Sequence, residues 1–337
     1  MRIGIMGLHY GHIGGMFASA ANASNGEIVG IVEADDALYQ RYTEKQSIPR
    51  YASLEEMLDQ AKPELVLEGL THLEKPAMVE ACAQAGAHML LDKPLCRTLD
   101  DWERMRAAVA ANNVELSMWY TSRSYPPFIA LRRAILDGEL GEIVSLISTH
   151  PHKITRQSGT PWYFDEKAYA GTFADVACHG VDQVLWLTGA AATGVHCLGT
   201  CKRFTDEPRL TDHMQASFQL SDGALATLTA DWLTPQHSPS FGDTRFILMG
   251  TEGSAHLRAY AGDHLLVVSN QRGGAYEPDF PADRGGAFVQ EMIDAIEKGT
   301  ELFISTKDVF AGALACLKAQ QSAAQGGEFL PIPSFEV

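Results

Sequence analysis

Residues 2–15 read RIGIMGLHYGHIGG, an apolar run that enters a turn rich in glycine and histidine. Further apolar runs follow at 27–32, 65–68, 88–91 and 114–118, and patterns typical of helices lie between them at 13–21, 37–44, 54–60, 75–85 and 99–111. Strands that alternate with helices indicate a parallel sheet covered by helices on both faces. Residues 1–122 are therefore predicted to form a doubly wound α/β domain with Rossmann topology.

The pattern changes after Arg123. A helix at 128–137 and a strand at 143–149 lead into an irregular stretch at 150–164, and alternating strands follow at 214–220, 224–232, 244–249, 256–260 and 265–269. Turns such as Ser221-Asp222-Gly223 join these strands, which favours an antiparallel meander. With helices at 288–298 and 306–324, residues 123–337 are predicted to be an α+β domain with a large, mostly antiparallel sheet.

The composition is that of a globular chain. Its 337 residues are 46% hydrophobic and 20% charged, and no run approaches the ~20 apolar residues that a membrane-spanning helix needs. The formal net charge of -16 would repel a phosphate backbone, so no nucleic-acid partner is expected. The six cysteines form no CxxC pair, which favours reduced thiols. We expect a cytoplasmic protein without metal or membrane contact.

The turn at residues 7–15 lies where the first strand meets the first helix, the usual place for a pyrophosphate at a helix N-terminus. Its glycine fingerprint is imperfect, because His9 and His12 stand at the second and third glycine positions if Gly7 is the first. A register through Gly11 and Gly14 also fits, and a glycine turn made only for packing is the alternative. The candidate cofactor contacts in this turn are Gly7, His9, Gly11, His12 and Ile13.

Glu33 follows the second strand, where the ribose of a bound dinucleotide lies. Its carboxylate would accept two ribose hydroxyls and repel a 2′-phosphate. The next residues, Ala34, Asp35 and Asp36, include no arginine to hold such a phosphate. The sequence therefore predicts NAD rather than NADP, with a solvated acid at a strand end as the alternative.

A second group of residues carries candidate catalytic chemistry. Lys93 follows the strand at 88–91 and precedes Pro94, so it should lie at the ligand edge of the sheet. Asp175 and His179 are four residues apart, which stacks them on one face if the segment is a helix. A carboxylate that orients an imidazole suits a general base, although spacing alone allows a helix-surface ion pair equally well.

These residues stand in motifs that resemble the family of glucose-fructose oxidoreductase, inositol dehydrogenase and rhizopine-catabolism proteins (Gfo/Idh/MocA). AGAHMLLDKP at 85–94 resembles the family's AGKHVLCEKP, with Asp92 in place of glutamate. Asp175-x-x-x-His179-x-x-Asp182, a strand-turn-strand pattern at 246–257 and SAAQG at 322–326 follow in the family's order. The resemblance covers nearly the whole chain.

The resemblance implies a role for each matching residue. Lys93 would hydrogen-bond the reacting oxygen, His179 would take or give the hydroxyl proton, and Asp175 would position His179 or the substrate. Thr71 and His72 match the family's Pro-Asn cofactor contacts in position only, and Ala170-Gly171-Thr172 replaces its Gly-Gly-Gly. The remaining implied cofactor contacts are Asp92, Lys93 and Arg123, and an interdomain salt bridge is the equal alternative for Arg123.

The irregular segment at 150–164 supplies further candidate substrate contacts. Besides Lys93, Asp175 and His179, they are His152, Lys153, Arg156, Trp162 and Tyr163. Lys153 or Arg156 would suit the carboxylate of a sugar acid, with solvated loop charges as the alternative. Trp162 would either stack on a sugar face or pack in the core.

The sequence thus predicts an NAD-dependent oxidoreductase that moves a hydride between the nicotinamide and a hydroxyl-bearing carbon of a sugar, cyclitol or sugar acid. One alternative is a glycosidase-type enzyme of the same family, which oxidises its sugar only transiently. The other is a ligand sensor without turnover. By analogy with the family, a homodimer or homotetramer is expected to form through the sheet of the second domain.

Overall fold

The computed structural model describes residues 1–9, 11–44, 46–154, 161–165, 167–207 and 210–337, with the side chains at 161 and 162 excepted. Among these residues, the first half of the chain holds a sheet of six parallel strands in the order β3-β2-β1-β4-β5-β6. The strands are β1 (Arg2–Met6), β2 (Glu27–Val32), β3 (Arg50–Tyr51), β4 (Leu65–Glu68), β5 (His88–Leu91) and β6 (Leu116–Met118). This order is that of the Rossmann fold and confirms the predicted class.

Five helices of the described first half connect these strands: α1 (Ile13–Ala21), α2 (Asp36–Thr43), α3 (Leu54–Gln60), α4 (Lys75–Gln84) and α5 (Leu99–Asn112). Asp35, Ser53 and Thr98 begin α2, α3 and α5, and each side chain accepts backbone N–H groups of the first turn. The apolar side chains of β1, β4 and β5 are buried on both faces, as expected for parallel strands between two helix layers. The carboxyl ends of these strands meet at one edge of the sheet.

The second half of the chain is built on a mostly antiparallel sheet, as predicted. Its nine strands among the described residues are β7 (Ile143–Pro151), β8 (Ala192–Thr200), β9 (His213–Leu220), β10 (Leu225–Asp231), β11 (Thr244–Gly250), β12 (Gly253–Ala259), β13 (His264–Ser269), β14 (Gly274–Tyr276) and β15 (Leu330–Pro331). Their order is β14-β13-β12-β11-β7-β10-β9-β8-β15. The neighbours β7 and β10 run parallel, whereas the other paired strands are antiparallel.

The helices of the second half are α6 (Pro126–Leu136), α7 (Thr172–Val176), α8 (Cys178–Thr188), α9 (Phe288–Lys298) and α10 (Thr306–Ala324). Helices α7, α8 and α10 cover one face of the large sheet. The opposite face carries exposed apolar side chains that the strand register places together: Ile147, Leu198, Leu225, Met249 and Val268. No helix of the described chain is long and apolar enough to cross a membrane.

The last helices return to the first half of the chain. Helix α9 packs on α1, and Ser19 Oγ donates to the carbonyl of Gly286 at 3.1 Å. At the start of α10, Thr306 Oγ1 accepts the N–H of Leu116 at 3.0 Å. The domain boundary at residue 122 stays a prediction. Helices α9 and α10, from the second half of the chain, make part of the contacts across this boundary.

Arg123 lies at the junction of these elements. Its guanidinium donates two hydrogen bonds to Asp182 at 2.9 and 2.6 Å, and a third to Asp308 at 3.0 Å. Nη1, which makes the bond to Asp308, also donates to the carbonyl oxygen of Phe303. The Arg123 side chain is 3% exposed. These bonds form the ion pair that was the alternative for Arg123, and its cofactor contact stays a prediction.

Candidate active site

Lys93 and Asp175 form a buried ion pair between the two halves of the chain. Lys93 follows β5, Asp175 lies in α7, and Nζ is 2.5 Å from Oδ1, with the side chains 5% and 0% exposed. Nζ also donates to the carbonyl oxygen of Asp175 at 3.1 Å. Burial lowers the pKa of Lys93, but the charge and hydrogen bond of Asp175, together with Tyr163 and Cys178, outweigh burial, so that pKa is raised. Burial conversely raises the pKa of Asp175, and the charge and hydrogen bond of Lys93, together with His72 and His152, turn this into a net lowering. The ammonium and carboxylate forms are thus favoured together.

His179 stands beside this pair, but not on the helix that its spacing predicted. Helix α7 ends at Val176 and α8 begins at Cys178, so Asp175 and His179 belong to different helices. The carboxylate of Asp175 turns to Lys93, and the predicted stacking of Asp175 on His179 is corrected. Burial, with Lys93 adding to it, lowers the pKa of His179 well below its ordinary value, which keeps the imidazole unprotonated near neutral pH. A neutral imidazole can accept a proton.

A second buried ion pair, unrecognised in the sequence, holds the loop that carries Lys93. Lys75 Nζ lies 3.1 Å from Glu68 Oε2, and both side chains are fully buried. The Lys75 ammonium also donates to the carbonyl oxygens of Asp92 and Pro94, at 2.5 and 3.0 Å. Burial raises the pKa of Glu68 to about 7 against the opposing charge of Lys75. The sequence signal that could have indicated this ion pair is an acidic residue at the end of the apolar strand β4 and a basic residue at the start of helix α4.

The glycine turn has the geometry expected for a pyrophosphate. Gly7 has a φ of 77°, and a Cβ there would lie 2.7 Å from the side chain of Leu70. Helix α1 begins after His12 with no side-chain cap, and the N–H groups of Gly15 and Met16 bond to the carbonyl of His12. Those of Ile13 and Gly14 have no partner among the described residues and are left for a ligand or solvent. Gly11, Ile13 and Gly14 lie at this opening. The residues present therefore fit the phosphates of a dinucleotide.

The two histidines at the fingerprint positions each meet a carboxylate. His12 Nδ1 is 2.8 Å from Asp92 Oδ1, which ties the turn to the residue before Lys93. His9 Nε2 is 3.1 Å from Glu33 Oε1. The side chains of His9 and His12 are 50% and 44% exposed, whereas those of Glu33 and Asp92 are almost completely buried. The histidines, rather than the acids, are the groups presented at the edge of the sheet.

The Glu33 carboxylate, which was expected to contact ribose, already accepts hydrogen bonds from the backbone. Its two carboxylate oxygens accept the backbone N–H groups of Leu8 and Asp35, at 2.7 and 2.8 Å. The carboxylate thus braces the turn, and a direct ribose contact stays a prediction for its remaining lone pairs. The residues directly after Glu33 include no arginine, as stated from the sequence, but β3 brings Arg50 to the carbonyl of Ala34 at 2.9 Å and to Asp36 at 2.6 Å.

The residues after β4 differ in their suitability for a cofactor. Thr71 is partly exposed, and its hydroxyl donates to Glu74 Oε2 at 2.6 Å. His72 is fully buried, its Nδ1 accepts the N–H of Ala170 at 3.1 Å, and its ring stacks on Tyr169. Burial and the Ala170 contact give His72 a structural role, and its predicted cofactor contact stays a prediction.

Of the substrate candidates in the irregular segment, Arg156 and the side chain of Trp162 lie outside the described residues. His152 faces the cleft with its ring edge on Trp232 and Phe241. Tyr163 packs near Trp232 and Tyr169. Lys153 Nζ donates to the carbonyl of Ser238 at 2.5 Å and is absent from the wall of the cavity described next. Its predicted contact with substrate has no support in this geometry.

A cavity of ≈ 270 Å³ opens at His179, and neither Lys93 nor Asp175 lines it. Its wall is formed by Thr121, Ser122, His150, His152, His179, Gln183, Phe241, Gly242, Thr244 and Tyr260. In the described part of the chain, no group of three or more His, Cys, Asp or Glu side chains is arranged to hold a metal ion. The cavity therefore extends the Lys93 and His179 site with hydroxyl, amide and aromatic groups.

Comparison with known proteins decides the family. A family model described as "Oxidoreductase family, NAD-binding Rossmann fold" matches residues 1–120, and one described as "GFO/IDH/MocA C-terminal domain" matches residues 128–256. The chain belongs to the Gfo/Idh/MocA family of oxidoreductases. The resemblance carried by the Lys93 and Asp175 motifs is thereby confirmed.

Individual members of the Gfo/Idh/MocA family are distant in sequence and close in fold. A myo-inositol dehydrogenase of Streptomyces leeuwenhoekii is 28% identical over 75% of this chain and 75% of its own length. The structure of an oxidoreductase from Thermotoga maritima has a TM-score of 0.87 at 20% identity, covering 98% of this chain and 100% of that one. A levoglucosan dehydrogenase in complex with NADH has a TM-score of 0.86 at 19% identity, covering 99% and 100%. At such identities the two structures establish the fold alone.

The buried histidines of this site predict a loss of stability in acid. Burial lowers the pKa of His150 to about 3, far below the value of about 6.5 in an unfolded chain. Below pH 6.5 the unfolded state therefore binds a proton that the folded state does not, and stability falls by about 1.4 kcal/mol per pH unit for this group down to the folded pKa. We expect the free energy of unfolding of His150→Gln, measured in urea, to fall less steeply between pH 6.5 and 4.5 than that of the wild type.

The matched control is His256→Gln, because His256 is exposed on β12. Its unfolding free energy should follow the wild-type pH dependence. Parallel curves for the wild type and His150→Gln would show that His150 is protonated in the folded state and would contradict the prediction.

Proposed function

We propose that this chain is an NAD-dependent dehydrogenase that oxidises a CH–OH group of a sugar or cyclitol. The observation that carries the proposal is the buried Lys93–Asp175 pair beside a neutral His179 at the carboxyl edge of the parallel sheet. A fixed cation and an unprotonated imidazole are what oxidation of an alcohol requires. Membership of the Gfo/Idh/MocA family and a relative named for myo-inositol support the substrate class.

The mechanism follows from the charges of these side chains. Bound NAD supplies the acceptor for the hydride that leaves the carbinol carbon. Lys93, kept as an ammonium by Asp175, hydrogen-bonds the substrate oxygen and stabilises the negative charge that develops on it. His179 accepts the hydroxyl proton because its imidazole is neutral. Asp175 positions Lys93, since its carboxylate holds the ammonium from within the protein.

Removing either group should abolish most turnover. We expect Lys93→Ala and His179→Ala to lower kcat by about 10²- to 10⁴-fold, the usual contribution of a positioned proton-transfer group. NADH absorbance reports turnover, and quenching of protein fluorescence by NADH reports cofactor binding, which both variants should retain. Because Lys93→Ala leaves Asp175 buried without its cation, Lys93→Arg is the companion variant that keeps the charge. Wild-type rates in His179→Ala, or in both Lys93 variants, would contradict the assignment.

The first assay is NADH formation with a panel of sugars, cyclitols and sugar acids. Net NADH from one compound establishes a dehydrogenase. A glycosidase-type enzyme of the same family would release a cleaved sugar without net NADH, and a sensor would bind NAD and ligand without either product. Retention of the Lys93–Asp175 pair together with His179 favours the dehydrogenase over the sensor, because a sensor needs no proton-transfer group.

The proposed preference for NAD rests on the acidic end of β2. Asp35 and Asp36 are exposed there, and the Arg50 guanidinium, which could attract a 2′-phosphate, is neutralised by Asp36 at 2.6 Å. Its other nitrogens donate to the carbonyl oxygens of Glu33 and Ala34. Two carboxylates against one engaged guanidinium disfavour the additional phosphate of NADP.

We expect NADH to bind at least about tenfold more tightly than NADPH, a difference of about 1.4 kcal/mol. Asp36→Asn should narrow this gap by tightening NADPH, because it removes the charge that neutralises Arg50. Asp59→Asn, an exposed change on α3, is the control and should leave both dissociation constants unchanged. Fluorescence titration measures the dissociation constants of NADH and NADPH for the wild type and both variants. Equal or tighter NADPH binding by the wild type would overturn the preference.

We also propose that two or four copies assemble through the exposed apolar face of the large sheet. Side chains such as Ile147, Leu225 and Met249 lie on that face, where unpartnered apolar surface is costly to a monomer. Sedimentation equilibrium of the wild type should give a dimer or tetramer, and Leu225→Glu should shift it towards monomer. Leu136→Glu, an exposed change on α6, should not. A wild type that is monomeric at all concentrations would refute this assembly.

A further inference from the structure

Two buried polar side chains in the wall of the cavity have no hydrogen-bond partner among the described residues. They are Gln183, whose amide nitrogen and oxygen are both unsatisfied, and Ser122, whose hydroxyl is unsatisfied. The residues are 1% and 2% exposed. Buried amides and hydroxyls are almost always hydrogen-bonded, because each one left unpaired costs about 1–3 kcal/mol. Groups placed in this way in the wall of a cavity are suited to a ligand that satisfies them.

Gln183 is directed to the cavity by the helix that also carries His179. The two residues are one turn apart on α8, so they share a face, and both line the cavity. Ser122 reaches the same cavity from the short turn at Thr121–Ser124 that follows β6. A molecule whose reacting carbon lies beside His179 therefore places its distal atoms against Gln183 and Ser122.

The described wall of the cavity has no cationic side chain that could pair with an acidic ligand. Its described lining residues include no lysine or arginine. Burial lowers the pKa of His150 to about 3 and that of His152 to about 4, so these rings are uncharged at neutral pH. Lys93 is engaged by Asp175, and Lys153 by the carbonyl of Ser238. A carboxylate buried in this cavity would lose its hydration without an opposite charge to replace it.

We propose that Gln183 and Ser122 form a specificity subsite that binds hydroxyl groups on the uncharged, distal part of the substrate. The subsite rests on the proposed function and narrows it from sugars, cyclitols and sugar acids to neutral polyols. The Gln183 amide offers donors and an acceptor, which matches a hydroxyl pair, and Ser122 offers one hydroxyl. The aromatic side chains of Phe241 and Tyr260 form the outer wall.

The principal test uses Gln183→Leu with Gln84→Leu as its matched control, since Gln84 is an exposed glutamine at the end of α4. For the best neutral substrate of the NADH assay, Gln183→Leu should raise KM by about 10- to 100-fold, the effect of a lost buried hydrogen bond. Its kcat should stay within about threefold, because the reacting groups are untouched. The wild type should prefer a neutral sugar to its aldonic or uronic acid.

A second measurement needs no turnover. Without ligand, Gln183→Leu should unfold at the same or a higher urea concentration than the wild type, because an unsatisfied buried amide is replaced by an apolar group. With myo-inositol or glucose present, the melting temperature of the wild type and of Gln84→Leu should rise, whereas that of Gln183→Leu should not.

The outcomes separate the subsite from the dehydrogenase proposal. Lack of turnover on the whole panel, together with a polyol-induced rise in melting temperature that Gln183→Leu abolishes, rejects the proposed reaction and supports the subsite. Turnover with an unchanged KM in Gln183→Leu, or a preference for the sugar acid, supports the reaction and overturns the subsite. A wild type that neither turns over nor is stabilised by any neutral polyol overturns the subsite as well.

Discussion

The buried contact between Lys93 and Asp175 is the constraint on which the arrangement of this protein depends. The two side chains are 5% and 0% exposed, so each charge is tolerated in the interior only while the other stays within hydrogen-bond distance. Lys93 belongs to the edge of the parallel sheet and Asp175 to the helices that cover the large sheet, so the pair fixes how the two sheets meet. The same contact keeps Lys93 protonated. In the proposed mechanism, packing of the halves and polarisation of the substrate therefore depend on one interaction.

The first sheet could be predicted almost residue by residue, since its strands are continuous apolar runs separated by short helices. The predicted bounds of β2, β4 and β5 agree with the structure. In contrast, β3 is two residues long and has no apolar run, so Arg50 was not expected at the end of β2. Strand β8 was also missed, because its sequence ATGVHCLGT alternates only weakly and contains two glycines.

The candidate site was predictable in its residue types and less so in its contacts. Lys93, Asp175 and His179 stand in recognisable motifs, and the structure brings them together. Their pairing was not predictable, because the break at Ala177 turns Asp175 from His179 towards a lysine 82 residues away. Arg123 and His72 were expected at the cofactor, and only the structure shows that Arg123 is paired with Asp182 and that His72 Nδ1 accepts the N–H of Ala170. The position of Gln183 was predictable, because a residue four positions after His179 lies on the same face of a helix.

The return of the last helices to the first sheet has a consequence for how the chain folds. Ser117 Oγ donates to the carbonyl of Ile304, and Leu116 N–H to Thr306 Oγ1, across separations of 187 and 190 residues. A nascent chain with only its Rossmann half synthesised would therefore expose the edge at β6 and the outer surface of α1. Such distant contacts slow folding and make it cooperative across the chain. The cofactor half is completed only after α9 and α10, which follow β14, have emerged from the ribosome.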